Sequence, residues 1–169
     1  ADASGADGAS NAPRSRSSRL VEVDALALPA ESPSLFINGD LKVNGLIEQH
    51  FRGGFLVVFG NVEAVDMFCG AQIFITGSLT VKNTIFGNCT NYPTLVLGPV
   101  KAKTLISAKE HYFCFYGGRS VKRVVDAQGD TPNLEDAEYG VDILVHGIDG
   151  GHDSDAVLKL LRRGKPLAK

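Results

Sequence analysis

Four short stretches of the chain alternate apolar and polar residues with a period of two: DLKV, NVEA, SLTV and PVKA. Their second and fourth letters are apolar or small: Leu41 and Val43, Val62 and Ala64, Leu79 and Val81, Val100 and Ala102. In an extended strand this pattern sends one set of side chains inward and the other into water. Each stretch follows a glycine, at Gly39, Gly60, Gly77 and Gly98, so the steps are 21, 17 and 21 residues. A second apolar run flanks each unit, and LFINGDLKVNG (35–45) and IFITGSLTVKN (73–83) carry the same order of letters. A unit of about 20 residues built from short strands cannot close a core alone, whereas stacked units can.

The period predicts an all-β fold, a short right-handed β-solenoid of about four to five coils with a C-terminal capping α-helix. Leucine-rich repeats need an LxxLxL ladder with a fixed Asn, which is missing, and the unequal steps do not fit a left-handed hexapeptide helix. In the expected arrangement Leu41, Val43, Val62, Leu79, Val81 and Val100 share one core. The four glycines stack at one corner, where a positive φ is expected.

The flanks differ from the repeat. Residues 1–18, ADASGADGASNAPRSRSS, hold no periodic apolar letters and read as a disordered leader before a single domain over 19–169. RLVEVDALALP alternates and predicts an N-terminal strand, and VDILVHG predicts a short strand near the other end. A helix is expected near 154–163, with Asp153 or Ser154 as N-cap, Asp155 in the first turn, Arg162 and Arg163 in the last, Gly164 at C′ and Pro166 beyond. Its face of Val157, Leu160 and Leu161 is expected to dock on the last coil and seal it.

Composition narrows the function. The 17 basic and 19 acidic residues leave no cationic surplus, which argues against a nucleic-acid partner. No apolar run approaches the roughly 18 residues that span a bilayer. Cys69, Cys89 and Cys114 are odd in number and lack CxxC spacing, as buried thiols of a cytoplasmic protein do.

Candidate chemistry is sparse. His50 and His111 each follow an amide or acidic residue near a coil end, so they could share a side, but a core or solvent-facing histidine explains both. GIDGGHDSD places Asp149, His152, Asp153 and Asp155 within reach of a hard cation, and a turn followed by a helix cap explains the same letters. Outward positions of the alternating strands (Asp40, Lys42, Glu63, Thr80, Lys101, Lys103) are mixed in charge, with no recurring carboxylate pair. Cys69 and Cys114 sit beside Phe68 and Phe113 and read as packed thiols. No catalytic residue, metal site or cofactor is expected.

Aromatic residues crowd into 51–116, more than a narrow interior holds, and surplus Tyr beside charge is the material of a protein interface. The expected protein-binding patch is Tyr92, Lys109, Glu110, His111, Tyr112 and Arg119, at the end of the last two coils. The ladder GDLxV, GNVEA, GSLTV, GPVKA, the segment KEHYFCFYGG and the tail RRGKPL resemble bacterial β-solenoid proteins of the polymer-forming, bactofilin-like group, which includes candidate immunity proteins of polymorphic toxins. That resemblance implies a non-enzymatic binding protein that neutralises a cognate toxin by steric blockade. Its alternatives are a self-assembling scaffold and a carbohydrate-active or metal-dependent enzyme.

Overall fold

The computed structural model describes residues 19–129, 131, 132, 134, 136–140, 144 and 154–169. In chain order, β1 (Leu20–Val23) and β2 (Leu26–Leu28) make a partial coil, followed by β3 (Leu35–Ile37), β4 (Asp40–Val43) and β5 (Leu46–Gln49). Next come β6 (Leu56–Val58), β7 (Val62–Ala64) and β8 (Asp66–Cys69), then β9 (Ile73–Ile75), β10 (Leu79–Val81) and β11 (Thr84–Asn88). In the fourth and fifth coils the last two strands merge, giving β12 (Thr94–Val96) with β13 (Val100–Ala108), and β14 (Phe113–Phe115) with β15 (Arg119–Asp126). Strand β16 (Glu138–Tyr139) and helix α1 (Ser154–Leu161) follow.

The result is a parallel β-solenoid of about five turns. Each coil runs through three walls. The first wall is a five-stranded sheet in the order β14-β12-β9-β6-β3. The second holds β1, β4, β7 and β10, and the third holds β2, β5, β8 and β11; β13 and β15 bend through the corner between them and join both into one 11-stranded sheet.

The register brings the alternating letters into line. Leu41 faces Val62, Val62 faces Leu79 and Leu79 faces Val100, all fully buried in one cluster with Ile37, Ile75, Ile47 and Leu105 from the other walls. The glycine column also forms, for a different reason than the expected one. Only Gly39 of the four has a positive φ, +140°. Gly77 and Gly98 instead donate their backbone N–H to the carbonyl of the glycine one coil back, at 2.9 and 3.0 Å. A Cβ would stand 2.3 Å from Gly39 O if placed at Gly60, and 2.5 Å from Gly60 O if placed at Gly77. Close approach of backbones excludes a side chain there.

The ends are closed unequally. The expected N-terminal strand is two strands, β1 on β4 and β2 on β5, yet Val21, Val23, Leu26 and Leu35 remain only half-buried. At the other end the segment after β15 folds across the core. Leu134 joins the main cluster, and the Asp126 carboxylate accepts the backbone N–H of Gln128 (3.2 Å), Gly129 (3.0 Å) and Thr131 (2.8 Å). The expected leader and the VDILVHG strand lie outside the described residues, apart from Leu144, which bridges Ala168.

The helix forms where expected and ends two residues earlier. Gly164, at φ +62°, closes it by a paired turn in which Gly164 N–H donates to Leu161 O (2.9 Å) and Lys165 N–H to Leu160 O (3.0 Å). Its buried residues are Val157, Leu158 and Leu161, with Leu160 only half-buried. Its docking site differs from the expected seal on the last coil. The helix lies along the outside of the third wall, over Phe68, Phe86, Ile106 and Val125, outward side chains of successive coils. The Phe68 and Phe86 rings stack at 5.7 Å. Arg162 Nε reaches Glu48 Oε2 at 2.9 Å in the first full coil, and Asn88 Nδ2 donates to Ser154 Oγ at 2.7 Å. An apolar outer sheet face needs a covering layer, and the helix is that layer.

Two measurements check this packing. Leu79→Ala is expected to lose about 2 to 5 kcal/mol in urea unfolding, as a buried Leu cavity does; a near-neutral change contradicts the continuous core. Deleting residues 154–169 is expected to expose the Phe68–Val125 row and raise binding of an apolar dye, which an end seal alone would not require.

A candidate binding surface

The three outer faces have different chemistry. On the second wall one outward column reads Glu22, Lys42, Glu63, Thr80, Lys101, Ser120 across successive coils. Lys42 Nζ lies 2.6 Å from Glu22 Oε1, so this face is polar and partly self-neutralised. The third wall carries an apolar outward row, Phe68, Phe86, Ile106 and Val125, which α1 covers, beside a polar one. The first wall is apolar outside and open among the described residues.

Its outward column is Phe36, Val57, Phe74, Leu95, Cys114, each residue paired with the next one coil on. Phe36 is 65% exposed, and the margins add exposed Phe55, Phe59, Leu97 and Tyr116. Phe55 and Tyr92 rings meet at 5.8 Å along the corner between the third and first walls. The polar alternation that marks the second wall is absent from LFI, LVV, IFI and FCF, where both faces are apolar, and in TLV the one polar letter, Thr94, points inward. The signal available was position: the middle letter of each run has the opposite direction to its neighbours.

The expected patch residues flank this face, on two different corners. Tyr92, Lys109, Glu110 and Tyr112 lie on the corner before the first wall, with Tyr112 O accepting Thr94 N–H at 3.0 Å. Lys109 and Glu110 turn the chain with φ of +53° and +54°. Arg119 lies beyond β14 on the opposite corner and pairs with Asp136. His111 does not belong to a surface. It is fully buried, its Nδ1–H donates to Cys89 O at 2.9 Å, and its Nε2 then accepts the Thr94 hydroxyl at 3.0 Å. Its ring stands edge-on to Phe113 at 4.7 Å. Burial lowers its pKa to about 4, so it remains neutral at pH 7.

The other candidate chemistry separates in the same way. His50, in the first full coil, pairs through Nε2 with Glu48, far from the interior position of His111, so the two histidines share no site. Burial alone would raise the Glu48 pKa, but hydrogen bonds from Arg162 and His50 outweigh it and hold the carboxyl below its ordinary value. Asp149, His152 and Asp153 lie outside the described residues. Cys69 is a core thiol pushed up to about 12 by burial, whereas Cys114 is not a core residue: it points outward on the first wall and is half-buried. No helix among the described residues is long and apolar enough to cross a membrane. No family model matches the chain, and no curated protein or solved structure matches it either.

The buried histidine makes stability depend on pH. Its folded pKa lies below the unfolded value of 6.5, so the unfolded state takes the proton first. The contribution is whole above pH 6.5 and is lost as pH falls from there toward about 4, by about 3 kcal/mol in all. His111→Gln is expected to flatten this limb of the stability curve; an unchanged slope between those pH values contradicts the assignment.

Proposed function

We propose that this chain is a non-enzymatic protein-binding β-solenoid whose working surface is the outer face of the first wall. One observation carries the reading: of two apolar outer rows, one is covered by the chain's own helix, and the other is left open among the described residues. Exposed Phe36, Phe59, Leu97 and Tyr116 supply the rigid apolar anchors of an interface, and Asn38, Asn91 and Lys109 lie at its margins as a polar rim. Stacked coils are stiff, so the face is preformed and little ordering entropy is lost on docking. The resemblance of the repeat to bactofilin-like immunity proteins supports a partner that is a bacterial toxin, held by steric blockade.

The test is co-expression with the product of the neighbouring gene. Phe74→Glu with Leu95→Glu places two charges in the centre of the face, and it is expected to weaken partner binding by about 2 kcal/mol or more, the scale of a hot spot. The urea midpoint should move far less than in Leu79→Ala. Undiminished neutralisation by the folded double variant rejects the surface, and failure of the wild type to neutralise rejects the toxin partner.

A second reading, self-association, is favoured by the open N-terminal end, where Leu20 and Phe36 are exposed and β3 has no neighbour on its outer edge among the described residues. Light scattering decides it: the mass should rise with concentration, and Leu20→Lys should abolish the rise.

A further inference from the structure

A cleft of about 420 Å³ lies between the C-terminal tail, residues 164–169, and the corner where the second wall meets the third. That is the size of a small-ligand site. Its floor is one outward column of the third wall: Asp66, Thr84, Thr104 and Arg123 on successive coils. Arg123 is committed to Glu138 through two contacts at 2.9 Å, and its Nη1 also donates to the backbone oxygen of Lys169 in the tail. The side-chain hydroxyls of Thr84 and Thr104 make no hydrogen bond among the described residues and line the cavity.

The rims are cationic. Lys103 and Lys122 stand on one side and Lys165 on the other, all exposed, and none has a carboxylate partner among the described residues. Lys103 and Lys122 fall between the paired residues Ala102–Val121 and Thr104–Arg123, so they are neighbours on adjacent coils. Strands are about 4.8 Å apart, and like charges directly opposite destabilise a sheet. The second wall shows the contrary solution, with Lys42 set between Glu22 and Glu63. On a chain of formal net charge -2 this cluster is a local segregation of charge, and an oxyanion placed between the lysines offsets their repulsion.

The far end of the floor has the opposite character. The Asp66 carboxylate is the acidic side chain of the cleft, held by Thr84 N–H at 3.0 Å and Asn83 Nδ2 at 3.2 Å. It repels a second anion and accepts hydroxyl groups. The cleft is therefore polarised along its length: ammonium groups, then hydroxyls with no partner among the described residues, then a carboxylate.

We propose that this cleft binds a small sugar phosphate or polyol phosphate, with the phosphate among Lys103, Lys122 and Lys165 and the hydroxyl groups over Thr84, Thr104 and Asp66. The site is separate from the first-wall face. It adds a small-molecule ligand to whatever that face recognises.

Titration calorimetry of the full chain at low ionic strength, with glucose 6-phosphate, ribose 5-phosphate, glycerol 3-phosphate, glucose and inorganic phosphate as probes, tests it. At least one phosphorylated probe is expected to bind about tenfold or more tighter than either inorganic phosphate or glucose. Lys103→Gln with Lys122→Gln should remove that binding, Thr104→Val should weaken it, and Lys42→Gln on the same flank should leave it unchanged. Thermal unfolding of each variant confirms the fold, and since all these positions face outward, native-like melting is expected. Phosphorylated probes that bind no better than inorganic phosphate overturn the proposal. So does binding that survives the double lysine variant or falls equally in Lys42→Gln.

Discussion

Every feature of this molecule follows from how closely one coil can approach the next. Parallel strands hydrogen-bond only when their backbones lie about 4.8 Å apart, and that spacing must hold at the corners as well as along the walls. The glycine column is where the constraint is tightest, because carbonyls of successive coils stand where a Cβ would be. Once the corner closes, Leu41, Val62, Leu79 and Val100 are forced into line, and each outward residue is forced above another outward residue. Columns of like side chains are then unavoidable on every face. The chain's chemistry is decided by what those columns contain.

A solenoid must also solve two problems that a globular core does not: its ends and its outer faces. The C-terminal end is closed by Leu134 and by a carboxylate, Asp126, that gathers three backbone N–H groups of the loop after β15. The helix solves one outer face. Its position on the side of the coils, where Arg162 meets Glu48 of the first full coil and Val157, Leu158 and Leu161 meet the later ones, ties distant repeats together. Contacts in a solenoid are otherwise between nearest neighbours. A strut of this kind makes coils unfold together that could otherwise fray one at a time.

The alternating strands were legible in the sequence, because polar letters between Leu41 and Val43 or Leu79 and Val81 leave one choice of inward face. The glycine column was legible in position but not in cause, since a close approach and a positive φ both call for the same residue. The apolar first-wall strands hid their outer face: LVV and IFI have no polar letter to mark which side is wet. His111 was legible only as a choice between core and surface, for a related reason. In KEHYF it stands among polar and aromatic residues that read as surface, yet the void left by Gly87 one coil back accepts its ring, and Thr94 and Cys89 supply its two hydrogen bonds. The C-terminal closure was equally hidden, because AQGDTPNLEDAEYG carries a single large aliphatic side chain, Leu134, which the structure places in the core.

Width explains why the helix took the third wall and left the first. Strand β11 on the third wall is five residues long and β8 four, so each coil presents two or three outward positions there, such as Thr84, Phe86 and Asn88. A helix about 10 Å across needs such a bed. First-wall strands are three residues long and present one outward side chain per coil, the Phe36-to-Cys114 ladder, with aromatic residues leaning in from the corners. A helix set on that ridge would rest on one row and leave both of its flanks in water. The ridge suits a partner that brings its own concave or flat apolar surface, which restricts the proposed partner to a folded protein with a groove or sheet face and disfavours a short helical segment.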